Sequence, residues 1–265
     1  MTAFAGEMKR KITPKKDLGD ELMNRSKKFT DVTEEKNDII KTDTFSNSFR
    51  LPSLGRFNGL SDEYLSISPM TIGQACDISR LSKIEKFSEK LKSLCTILNR
   101  SVLNVKCEDL TLEDFYALCF KLRDISSDEP LSISKDFKGI TLSLKIDIKD
   151  IGIKYLDSSI LLDDLDYPRV RDKIFLESTK EDGKTLTPSE EFLFGFCKGD
   201  TSEDKLDYFR TRKLEDLHII KKYSDELKFG MNDTVEITNP EGKKEEVEVP
   251  FDFFIFFPPS LQNYF

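Results

Sequence analysis

Apolar residues fall at Ile84, Phe87, Leu91, Leu94 and Leu98, a spacing of three and four that makes one helical stripe. Lys83, Lys86, Glu89, Lys90 and Lys92 cover the other side. Upstream, Thr71 and Gln74 have the spacing of a capping box, in which hydroxyl and amide satisfy each other's orphan backbone donors. Together these features predict a helix over about 71–99, with a break allowed near Ser82. A second helix is expected over about 112–124, capped by Thr111 with Asp114 at its third position. Leu112, Phe115, Cys119 and Leu122 line its inner face, and Tyr116 and Leu118 widen it. Cys119 therefore reads as a small core residue rather than a reactive thiol.

The period then changes to two. Leu142, Leu144, Ile146 and Ile148 alternate with polar residues and predict a half-buried strand. Leu131 and Ile133 supply its partner, turned through Lys138-Gly139. Lys173–Glu177 reads as another strand, followed by a turn at Glu181-Asp182-Gly183. Thr187-Pro188-Ser189-Glu190 opens a short helix with three agreeing signals: a cap, a proline at the first position and a glutamate at the third. It carries Phe192, Leu193, Phe194 and Phe196 and stops near Gly199. A longer helix is expected over about 203–223, with Leu206, Phe209, Leu217 and Ile220 facing in. Val235 and Ile237 then lead through Asn239-Pro240-Glu241-Gly242 to Val247 and Val249, a hairpin.

Helices and strands cluster rather than alternate, which favours an α+β fold. Its helical N-terminal half, of two to three amphipathic helices, would pack with antiparallel strands and a C-terminal hairpin. Residues 1–44 are polar and aperiodic and read as a flexible or partner-ordered arm. Residues 45–265 read as the folded domain, whole or in two lobes over about 45–130 and 131–265. The chain's 265 residues and 21 phenylalanines are enough for a sizeable core.

A net charge of −8 argues against broad nucleic-acid binding, although residues 1–28 hold eight Lys/Arg against four Asp/Glu. No run approaches the roughly 20 apolar residues of a spanning helix. Nor does the start of the chain carry an apolar signal core, so a soluble cytosolic protein is expected. Five cysteines without a CxxC pair, and the single His218, make a disulfide framework or structural zinc site improbable.

The usual chemical signatures are missing. There is no GxGxxG, no GxxxxGK[ST] and no GxSxG. His218 sits on a charged helix without an evident nucleophile beside it. Asp163, Asp164 and Asp166 form an acidic group that lacks calcium-loop spacing. No catalytic, metal or cofactor-binding residue is assigned, and no cofactor is expected. The unusual feature is the end of the chain, with five Phe in the seven residues 251–257. A strand alternates its faces, so these rings lie either in a strand buried on both sides or on a face that docks on another subunit. Phe253, Phe256, Phe257, Tyr264 and Phe265 are the candidate partner contacts.

Several short elements recur in a fixed order. They are Leu51-Pro52-Ser53-Leu54-Gly55, then Ser68-Pro69-Met70-Thr71 opening a helix, then Leu110-Thr111-Leu112-Glu113-Asp114-Phe115-Tyr116 running to Leu122-Arg123-Asp124-Ile125-Ser126. A hairpin, Val249-Pro250 and Phe256-Phe257-Pro258-Pro259-Ser260 follow. In this order the chain, over about 45–265, resembles the baseplate hub assembly proteins of T-even-type contractile-tailed bacteriophages. The resemblance implies a non-enzymatic part in tail morphogenesis, as assembly factor or minor hub subunit. Its partners would be other baseplate hub and tail proteins, met in the host cytoplasm during assembly or in the virion tail baseplate. Some relatives carry paired cysteines after the second helix. Ser134–Lys145 has none, so no metal knuckle carries over.

Overall fold

The computed structural model describes residues 47–249 apart from 58, 59, 61, 138, 139, 159–164, 233 and 239–241. All of them belong to one unit spanning 45–265. The arm 1–44, the Phe-rich end and the two hairpin turns lie outside the described residues, as do Asp163 and Asp164.

The unit is α+β, with small antiparallel pairs of strands set among helices. Strand β1 (Asn47–Arg50) pairs with β2 (Tyr64–Ile67), Phe49 opposite Leu65. Both side chains are buried, and an ion pair from Arg50 to Glu63 at 3.0 Å fastens the end of the pair where the connecting loop leaves. Helix α1 (Ile72–Arg80) starts as expected, with Thr71 and Gln74 forming a complete capping box. The helix then stops. Leu81–Lys83 is a single 3₁₀ turn and Ile84 is extended, so the expected break is real and wider than one residue. Helix α2 (Phe87–Leu98) begins afresh beyond it.

That break moves Phe87 out of the inner stripe; it is 41% exposed, whereas Leu94 and Leu98 are fully buried. The start of α2 has no cap of its own, because Lys86 offers no acceptor. The cap comes from far away. Glu181 accepts from the Ser88 backbone N–H at 3.1 Å and from its hydroxyl at 2.5 Å.

Helix α3 (Leu112–Ser126) is the centre of the unit. Phe115, Leu118, Cys119 and Leu122 are all fully buried, and Ala117 and Phe120 nearly so. Burial on more than one stripe marks a helix enclosed by the fold rather than lying on it. Each such Phe or Leu side chain contributes about 1.5–3 kcal/mol on leaving water. Cys95, Cys107 and Cys119 are fully buried in the same core, and burial pushes each thiol well above its ordinary range.

Strands β3 (Leu131–Phe137) and β4 (Ile140–Ile146) pair as expected, and their register sets Leu131 against Ile146 and Ile133 against Leu144. Ile148 falls past the strand in a 3₁₀ turn. The short β5 (Ile153–Lys154) follows.

Two expectations fail. Residues 173–177 are not a strand but the middle of helix α4 (Val170–Glu181). Val170, Asp172, Leu176 and Thr179 are its buried positions, and Lys173 bonds Glu177 one turn on, at 2.8 Å. Burial spaced along one side and this ion pair one turn apart satisfy a helix. Helix α5 (Pro188–Leu193) opens on the Thr187 capping box, with a 3₁₀ turn after it. The long helix expected over 203–223 is in fact two, α6 (Ser202–Thr211) and α7 (Asp216–Glu226). Arg212 is extended between them, and Asp216 accepts from the Lys213 backbone at 3.2 Å to start the second.

Strand β6 (Gly230–Met231) returns to pair with β5. The predicted hairpin closes the described chain as β7 (Thr234–Thr238) and β8 (Lys244–Glu248), with Val235 facing Val247.

Candidate functional site

Sequence elements that look unrelated along the chain are joined inside the fold. Ser53 of the Leu-Pro-Ser element is fully buried against Asp114 of α3, itself fully buried. The Ser53 backbone N–H donates to one Asp114 carboxyl oxygen at 2.8 Å and its hydroxyl donates to the other at 2.5 Å. The same hydroxyl accepts from Gly55 N–H at 3.2 Å. Gly55 has φ +70, and a Cβ there would lie 2.7 Å from the Asp62 carbonyl oxygen, so the turn requires glycine. Thr111, at the cap of α3, accepts from the Asp114 backbone at 3.1 Å. Thus Asp114 does not reach back to complete its own capping box; its carboxyl holds the loop instead.

A second link ties the other two elements. Met70 N–H, in Ser-Pro-Met-Thr, donates to Ser126 Oγ at 2.8 Å, and Ser126 donates to Leu122 O at 2.5 Å. Nearby, Gln74 is buried and donates to Ile97 O at 3.0 Å and Ser101 Oγ at 2.9 Å. Each of these groups makes at least one hydrogen bond to backbone or to a neighbour that does. They form a structural frame.

A charged junction lies at the start of α4. Lys205 is fully buried, and its ammonium reaches Asp172 at 2.8 Å, Asp166 at 3.0 Å and the Gly195 carbonyl at 3.1 Å. Asp172 also accepts from Ser202 Oγ at 2.7 Å and from Arg169 N–H at 2.9 Å. All three ammonium donors are spent, so Lys205 clamps α6 to α4 rather than serving as a base. Removing either partner would strand a buried charge. This junction escaped the sequence reading. The visible signal was the spacing Ser202, Lys205, Leu206, Phe209, which places a lysine on an inner face.

Beside the junction runs a groove of about 400 Å³, lined among others by Leu112, Tyr116, Tyr167, Leu176, Phe192 and Phe196. Tyr167 is the hub of its floor, with ring centroids 4.7 Å from Phe229 and 5.3 Å from both Phe57 and Phe196. Burial pushes the Tyr167 and Tyr116 phenols above their ordinary value, so both remain protonated at neutral pH. Phe192 is 60% exposed in this groove, and Leu214 and Ile219 are exposed on the following segments. Glu113, Asp172, Lys173 and Glu191 also line the groove, so its aromatic floor carries a charged rim suited to contact with amphipathic side chains.

Of the residues singled out from sequence, Phe253, Phe256, Phe257, Tyr264 and Phe265 lie outside the described residues. His218 is exposed on α7 and makes no side-chain hydrogen bond among the described residues. Asp166 belongs to the charged junction, where it pairs with Arg169 as well as Lys205. No group of three or more His, Cys, Asp or Glu side chains suited to a metal occurs among the described residues. No helix among them is long and apolar enough to cross a membrane. No protein-family model, curated protein or solved structure matches the chain.

Proposed function

We propose that this chain is a non-enzymatic morphogenesis protein of a contractile phage tail, acting in assembly of the baseplate central hub. The observation that supports this reading is the buried joining of its motifs. Leu51–Gly55 meets Asp114, and Ser68–Thr71 meets Ser126, through hydrogen bonds that tie loop backbone to α3. An ordered set of short motifs whose common property is mutual contact marks a shared fold, not a shared reaction. The groove beside α4, with its exposed Phe192, is the described surface best suited to a partner.

Two modes follow from the same reading. As an assembly factor or chaperone, the protein binds hub components and leaves. As a permanent baseplate subunit, it holds neighbours through residues 1–44 and the Phe-rich end. Co-expression with each baseplate hub subunit, followed by size-exclusion chromatography, tests the reading itself; a stable complex with at least one is expected. Failure to bind any hub subunit sinks it. Phe192→Asp should abolish the complex with the melting temperature unchanged. Quantitative mass spectrometry of purified tails then divides the modes, because only a permanent subunit persists at fixed stoichiometry.

A further inference from the structure

A second cavity, of about 600 Å³, is lined by Leu60, Asn104, Val105, Lys106, Asp109, Arg169 and Arg171. Three cations thus face one carboxylate, in a chain whose net charge is −8. Lys106 is exposed and makes no ion pair among the described residues. Each arginine is only partly used. Arg171 donates one terminal N–H to Asp109 at 3.2 Å. Arg169 donates from one terminal nitrogen to Asp166 at 3.2 and 3.4 Å. Asp166 is also shared with the buried Lys205, whose charge Asp172 meets as well at 2.8 Å. The Nε of both guanidinium groups is buried and has no hydrogen-bond partner.

A guanidinium presents five N–H donors in a planar fork that matches the oxygens of a carboxylate or phosphate in pairs. Here two guanidinium groups and one ammonium line a single recess, and on each arginine one terminal nitrogen bonds a carboxylate while the other has no protein partner among the described residues. Burying an arginine N–H group without a partner is unfavourable, so a purely structural role accounts for little of this arrangement. Asn104, with φ +74, turns the loop that carries Val105 and Lys106 to the recess. We propose that the recess is an anion site that takes a phosphate group, held between Arg169 and Arg171 with Lys106 closing over it. The lone Asp109 opposes binding, and Arg171 exchanges its single bond to Asp109 for a paired one to the ligand. A compact dianion gains most from two forks, which favours phosphate over a monocarboxylate.

The full chain is titrated calorimetrically with inorganic phosphate and separately with glycerol 1-phosphate, at an ionic strength held constant with potassium chloride. Saturable one-to-one binding of at least one is expected. Tighter binding of the ester marks an esterified phosphate as the ligand, and tighter binding of the free ion marks inorganic phosphate. Lys106→Gln with Arg171→Gln should weaken binding by about tenfold or more, the loss expected for one charge-assisted hydrogen bond. Lys213→Gln, a change at an exposed cation elsewhere, should bind as the unaltered chain does. If the double variant fails to fold, Lys106→Gln alone, at an exposed side chain, carries the same test. Heats no larger than those of added chloride overturn the proposal, as does unchanged affinity in the Lys106 and Arg171 variants.

Discussion

Replacing Asp114 by alanine tests the internal frame most directly. The Asp114 carboxyl accepts two hydrogen bonds from Ser53, and both residues are fully buried. Asp114→Ala leaves the Ser53 N–H and O–H without their acceptor, out of reach of water. Each stranded buried donor costs about 1–3 kcal/mol. The hydroxyl can turn toward other acceptors, so a total of about 2–4 kcal/mol is expected. Against a typical domain stability of about 5–15 kcal/mol that is a large fraction. With a urea dependence of about 2–3 kcal/mol per molar, the unfolding midpoint should fall by roughly 1–2 M. The assay is urea unfolding followed by circular dichroism. Ser53→Ala should cost less, about 1–2 kcal/mol, because the backbone N–H keeps its bond to Asp114. The double variant should cost less than the sum of the two, by about 0.5–3 kcal/mol, since each single change already removes the shared bond. A midpoint within about 0.2 M of the unaltered protein for Asp114→Ala, or strictly additive costs, would refute the reasoning.

Further expectations follow from the same contacts. The Ser88 hydroxyl and N–H hold the Glu181 carboxyl below the usual carboxylate range. A carboxyl lowered on folding stabilises the fold above its unfolded value of about 4.3, and that stabilisation fades as pH falls through the lower folded value. Glu181→Gln should therefore lower the melting temperature at pH 7 and lose that difference in acid; a pH-independent difference would contradict the assignment. Lys205→Met leaves Asp172 buried without its ammonium and should cost about 3–5 kcal/mol in chemical denaturation. A cost under about 1 kcal/mol would show the junction to be dispensable. Gly55→Ala and Gly183→Ala share a positive φ, which costs a non-glycine residue about 1–2 kcal/mol. Only at Gly55 does the new Cβ also meet a backbone oxygen, at 2.7 Å, whereas Gly183 has open space. Gly55→Ala should be the more damaging in thermal melts, and equal effects would remove the steric part of the argument.

What was legible in the sequence was what is decided locally. Thr71, Thr111 and Thr187 announce their helices because a cap and its third residue lie within one turn. The partnership of β3 and β4 was legible because alternation leaves one face apolar. The failures have a physical pattern. The start of α2 was invisible because its cap, Glu181, is 93 residues away. In α4, Ile174 and Leu176 alternate with larger neighbours over a window too short to separate a strand from a helix. The Lys173–Glu177 spacing held the answer. Helices α6 and α7 were fused because Leu206, Phe209, Leu217 and Ile220 keep a helical spacing across the break. The groove and the anion recess were not legible, since each gathers residues from segments that only the fold brings together.

The distant cap on α2 has a consequence for how the chain is made. A ribosome adds about 5–20 residues per second, so the 93 residues between Ser88 and Glu181 take about 5–19 s. Through that interval the N-terminus of α2 waits without its acceptor. Native contacts of such long sequence separation also slow folding after release. The N-terminal half should therefore remain protease-sensitive on nascent chains stalled before residue 181, and become resistant only once α4 has emerged from the ribosome.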